Sequence, residues 1–131
     1  MTNFFFKNKY IFYISNIVLI ILYLSPCSIL GYILNKDCKL QPQITQDFIV
    51  STNHLYAFVI FSIIGYLTFN KSSQFIFLTI YLVFLSIILE ILHYFIPDRS
   101  FEIPDLFGNL MGVIMIMIIV YLFKKNENIK N

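Results

Sequence analysis

The chain has 131 residues, of which 59% are hydrophobic and 12% charged, with a formal net charge of +2 and a mean hydropathy of +0.80. A soluble domain carries about 25% charged residues, and a chain this short exposes too much of its surface to hide so many apolar side chains. These numbers exclude an ordinary water-soluble globule and a nucleic-acid-binding surface, and they make the lipid bilayer the expected partner.

The first apolar segment spans about residues 10–25 and includes IFYISNIVLIILYL. Two readings are open: the helix passes through Pro26 with a kink and runs on to Leu34, or, the favoured one, it ends near Ser25, because proline lacks the N–H that a helix interior uses. The stretch CSILGYIL then lies at the interface. LSPC at Leu24–Cys27 resembles a lipoprotein cleavage site, but Pro26 stands where a small residue is needed, so cleavage is not expected. Cys27 and Cys38 match no zinc spacing; pairing between them is possible in an oxidising compartment and stays open. Residues 35–53, NKDCKLQPQITQDFIVSTN, form a polar loop, and the outer loop as a whole covers about 26–53.

Three more apolar segments follow, at about 54–69, 75–96 and 105–123. A helix rises 1.5 Å per residue, so about 20 residues cross a hydrocarbon core of about 30 Å. No period-two alternation reaches barrel length, which leaves helices as the spanning element. The tight link NKSSQ at 70–74 makes the second and third segments an antiparallel hairpin. The tail at 124–131 is short and polar, and is expected to be mobile. The prediction is one all-α domain: a polytopic membrane protein with four transmembrane helices in an antiparallel bundle.

Basic residues favour the cytoplasmic side. With both ends inside, that side holds Lys7, Lys9, Lys71, Lys124, Lys125 and Lys130, and the outer side only Lys36, Lys39 and Arg99. Both termini are therefore expected in the cytoplasm. This orientation puts His54, Glu90, His93, Asp105 and Asn109 at one depth beneath the outer face.

Glu90 lies about 9 Å inside the predicted end of its helix, where a carboxylate is expensive without a partner. Its expected partners are His93, one turn on, and Arg99, folding back past Pro97. A structural ion pair, a ligand-binding or catalytic carboxylate, and a solvated boundary residue are all open. Glu-x-x-His is also a metal-ligand spacing, and His54, His93, Glu90 and Asp105 make a drawable set for zinc or iron. Asp105 opens the fourth helix, where a carboxylate caps free N–H groups and opposes the helix dipole. Asn109 needs a partner and should face the bundle. Gly108 and Gly112 form a small-xxx-small pair that admits another helix, in this chain or in a second copy. There is no nucleophile elbow, phosphate loop or dinucleotide fingerprint.

The run from Glu90 through His93, Pro97, Asp98, Arg99, Asp105 and Asn109 to Gly112, with His54 opening the second segment, resembles the VanZ-like family of small membrane proteins over nearly the whole chain. Two departures stand out. His93 replaces the usual Gln, and Val50 and Ser51 occupy the place of an Asp-Lys pair. Because the family site works with Gln at position 93, the resemblance argues against a metal; neither a metal nor another cofactor is expected. It implies a link to teicoplanin resistance and the cell wall. The expected ligand-binding residues are His54, Glu90, His93, Arg99, Asp105 and Asn109, around a lipid headgroup or a lipid-linked wall precursor. An enzyme using Glu90 or His54 as general base, and a structural protein without a ligand, are the alternatives.

Overall fold

The structure, a computed structural model, describes residues 9–69 and 72–130. Lys7 and residues 70 and 71 of the expected 70–74 link lie outside the described residues, and the helix after that link already begins at Ser72. Among the described residues, all regular structure is helical: α1 (Lys9–Leu24), α2 (Ile29–Asn35), α3 (Thr52–Thr68), α4 (Ser72–His93) and α5 (Ile103–Lys130).

Helix α1 stops one residue before Ser25, as Pro26 requires. The chain then bends by 80° into α2, which the sequence showed only as an interfacial stretch. Ser28 caps α2 by accepting the Gly31 N–H at 3.1 Å, and Lys36 closes it in the left-handed conformation, φ 58°. Cys27 and Cys38 are disulfide-bonded, which resolves the pairing left open above. The bond holds the 37–40 segment of the loop against α2, where a side chain at Gly31 would strike the Leu40 carbonyl.

Helix α4 ends at His93, three residues before the expected end at Ile96. Tyr94, Phe95 and Ile96 donate back three residues rather than four, a tightening common in a last turn. Pro97 disfavours helical backbone in the residue before it, and Asp98 turns at φ 61°. Glu90 is therefore about 4.5 Å from the helix end rather than about 9 Å. Helix α5 runs seven residues past the expected end at Phe123, so the polar tail is helical through Lys130.

Phe12 near the start of α1 stacks on Phe61 of α3 at 5.1 Å and meets Phe69 edge-on. Lys124 of α5 lies over Phe75 of α4. At the opposite end, Tyr23 of α1 meets His54 of α3 and His93 of α4. The last turns of α1 and α4 thus share one end of the molecule with the first turns of α3 and α5.

The closest-packed pair is α3 with α5. A Cβ added at Gly108 would lie 2.6 Å from the Ser51 carbonyl oxygen, and one at Gly112 2.7 Å from that of Leu55. The small-residue pair is therefore covered by α3 of the same chain, and a second copy cannot use it while α3 is in place.

The distribution of side chains is the reverse of a soluble protein. Ser62, Ser86, Glu90 and Asn109 are fully buried, while Ile76, Phe77, Ile80 and Phe84 of α4 are more than half exposed. Among the described residues, α4 and α5 are each long and apolar enough to cross a membrane, and α1 with α2 passes only as one bent unit. Helix α3, with 17 residues, covers about 25 Å, short of the core thickness.

Candidate functional site

The cluster sits where the four long helices meet. Each contributes from a terminal turn: Tyr23 from the end of α1, His54 from the start of α3, Glu90 and His93 from the end of α4, Asp105 and Asn109 from the start of α5. Two of these turns come close enough only because Gly108 and Gly112 let the α3 backbone approach.

Glu90 is 0% exposed. Its Oε1 accepts the backbone N–H of Glu102 at 3.0 Å, which ties the α4–α5 link to the bundle, and meets His93 Nδ1 at 3.3 Å. The expected partner His93 is thus in place. The expected partner Arg99 is not: its Nε donates to the Ser25 carbonyl at 3.2 Å, and no described carboxylate forms an ion pair with it. The short turn after His93 carries the Arg99 side chain toward the break between α1 and α2 and away from Glu90.

His93 Nε2 lies 3.0 Å from the Tyr23 carbonyl oxygen. A carbonyl only accepts, so Nε2 carries a hydrogen there. The Nδ1–Oε1 contact then needs one more proton, and either location of it leaves the buried pair electrically neutral. Neutrality is what full burial favours, because an uncompensated charge in such surroundings is very costly. The Tyr23 ring stacks on the His93 ring at 5.8 Å.

Asn109 faces inward as expected. Its Oδ1 accepts from Tyr23 Oη at 2.7 Å and its Nδ2 donates to the Ser86 carbonyl at 3.3 Å. Nothing in the sequence singled out Tyr23 or the Ser86 carbonyl, since a tyrosine near the end of an apolar segment reads as an interfacial aromatic.

Asp105 does not cap α5 as expected; no backbone N–H bonds to its carboxylate among the described residues. Its Oδ2 instead lies 3.3 Å from His54 Nε2. On the other side of the same ring, His54 Nδ1 lies 3.7 Å from Glu90 Oε2. Both of these last atoms are buried with no hydrogen-bond partner. His54, Glu90 and Asp105 each offer one ligand atom within 4.8 Å of the others.

A cavity of about 250 Å³ opens beside the cluster. His54, His93 and Arg99 line it together with apolar Leu22, Ala57 and Ile60. A second cavity, of about 510 Å³, shares Ser28, Gln41 and Arg99 with the first and adds Lys39 and Asp98. Glu90 and Asp105 line neither.

A chain whose described residues form helices and no strands, with an apolar exterior and polar groups sealed at one end of the helices, has the make-up of a small membrane protein. The VanZ/LLP1 family model matches residues 4–124, and the chain belongs to that family. No curated protein and no solved structure matches it.

Proposed function

We propose that the protein is an integral component of a bacterial cytoplasmic membrane, with four spans, both termini in the cytoplasm and the polar cluster beneath the outer face. There it binds an amphiphile with an anionic head, a lipid or a lipid-linked wall precursor, and through it affects susceptibility to glycopeptides such as teicoplanin. The observation that carries this is the pair of adjoining cavities. One has apolar walls suited to a hydrocarbon chain, the other holds Lys39, and Arg99 lies on their shared wall. An arginine without a carboxylate partner is suited to a phosphate or carboxylate, which it grips with two parallel N–H bonds. The disulfide fits an oxidising, non-cytoplasmic location for the roof of these cavities, and Lys9, Lys124 and Lys125 lie toward the opposite end.

The test is mass spectrometry of lipid carried through purification in mild detergent. Wild-type protein should retain an anionic amphiphile enriched over the bulk membrane, and Arg99→Gln should lose most of it. A lipid profile matching the bulk membrane in both proteins sinks the reading.

A second reading, an enzyme acting on a lipid-linked substrate, is favoured by one contact. Asp105 stands behind His54 as an orienting carboxylate stands behind a general base, and His54 lines the cavity. Turnover of a labelled lipid-linked substrate, lost in His54→Ala, would establish it.

A further inference from the structure

Proton bookkeeping at His54 leaves something unaccounted for. A neutral imidazole has one N–H. Placed on Nε2, it faces the Asp105 carboxylate 3.3 Å away. Nδ1 is then a bare lone pair, and it looks at Glu90 Oε2, another lone-pair atom, across 3.7 Å. Neither atom has a hydrogen-bond partner and both are buried. Two unpaired acceptors facing each other in a poorly solvated site repel, and the spacing says what separates them.

A shared proton does not fit, because a hydrogen bond from nitrogen to oxygen spans about 2.7–3.2 Å. A water molecule fits poorly: at about 2.8 Å from each atom, the two would subtend roughly 80° at it, narrower than its two O–H bonds open. A metal ion fits. With bonds of about 2.0–2.2 Å to nitrogen and oxygen, an ion between atoms 3.7 Å apart subtends roughly 120°, close to tetrahedral. Asp105 faces the other ring nitrogen, Nε2, and offers an oxygen within 4.8 Å of the other two ligand atoms, so it becomes the third ligand when its carboxylate swings toward the Nδ1 side. The charge also agrees: with the Glu90–His93 pair neutral and His54 uncharged, the Asp105 carboxylate beside His54 has no cation, and Arg99 is bonded to Ser25 instead.

We propose that His54, Glu90 and Asp105 hold one divalent transition-metal ion at the inner wall of the cavity. Mixed imidazole and carboxylate donors suit zinc or iron rather than magnesium or calcium. Three protein ligands leave a coordination position free, and His54 is the one of the three that also lines the cavity. The sequence-based case against a metal rested on position 93. The geometry removes that objection, because His93 is not one of the three; its ring nitrogens are engaged by Tyr23 and Glu90. This site stands whether or not the cavity takes a lipid.

The full chain, purified in detergent through a histidine-free tag and stripped with chelator, is re-equilibrated with micromolar zinc or cobalt. About one zinc per chain should survive desalting, and cobalt should give the visible absorption of a four- or five-coordinate ion. Glu90→Gln and Asp105→Asn should each weaken zinc binding at least about tenfold, while His93→Gln keeps the ion. Absence of both bound zinc and a cobalt spectrum in folded wild-type protein overturns the proposal without any variant. Zinc binding undiminished in Glu90→Gln that elutes as folded protein overturns it as well, since the ion would then sit elsewhere.

Discussion

Tyr23 donates its hydroxyl to Asn109 Oδ1 at 2.7 Å, joining the last turn of α1 to the second turn of α5 across 86 residues of sequence. Asn109 passes the connection on to the Ser86 carbonyl of α4. Three helices are thereby pinned at one level by a single amide, fully buried. The level is the one at which His54, Glu90 and His93 also meet.

Tyr23→Phe removes the donor and leaves a buried amide oxygen unsatisfied. Stability should fall by about 1 kcal/mol, given that helix-to-helix hydrogen bonds in membranes average about 0.6 and reach about 1.7 kcal/mol. Unfolding of purified protein in detergent, followed by circular dichroism, measures this. In a cycle with Asn109→Leu the two losses should not add, because each variant removes the same bond. Strict additivity would show that the bond carries no energy of its own.

Two substitutions at Glu90 separate structure from function. Glu90→Gln keeps a carbonyl oxygen for the Glu102 N–H, so folded yield should stay near that of wild type. Glu90→Leu strands that N–H and leaves His93 Nδ1 facing hydrocarbon, and should lower stability by roughly 2–4 kcal/mol and reduce yield sharply. Size-exclusion chromatography of membrane extracts measures both. If Glu90→Gln also collapses, the carboxylate serves the fold alone.

Gly112→Ala would place a Cβ 2.7 Å from the Leu55 carbonyl and 2.9 Å from the Phe58 Cβ. Helices α3 and α5 must part, at a cost of about 1–3 kcal/mol as for other overpacked cores. The expected outcome is a lower melting temperature with an unchanged oligomeric mass by light scattering. A changed mass with unchanged stability would mean that the glycines serve an interface between copies.

Removing the disulfide with Cys27→Ser and Cys38→Ser releases a loop whose ends are 11 residues apart. The chain-entropy estimate for such a loop is about 3 kcal/mol, concentrated in the roof of the cavities. In intact cells the cysteines should resist a maleimide until a membrane-impermeant reductant is added, and then label. Labelling that needs a permeant reductant would place the roof in the cytoplasm and invert the proposed orientation.

Much was legible before any coordinates. Composition dictates a lipid-facing exterior, because 59% apolar residues on a chain of 131 cannot be hidden from water. Helical type, the break at Pro26 and the positions of His54, Glu90, His93, Asp105 and Asn109 all follow from hydropathy, helix rise and charge. These are local properties of the chain, so local pattern suffices to read them.

Tertiary structure alone decided who bonds to whom. Arg99 was expected on Glu90 and reaches Ser25 instead, because α4 stops at His93 and the turn at Asp98 redirects the chain. Asp105 was expected to cap its own helix and faces His54, because Gly108 and Gly112 bring α3 within reach. Tyr23 gave no signal at all, since a tyrosine at the end of an apolar segment looks the same whether its hydroxyl meets water or a buried amide. Partner choice among polar groups is set by ångström-scale approach between elements distant in sequence, and no period or spacing within one helix encodes that distance.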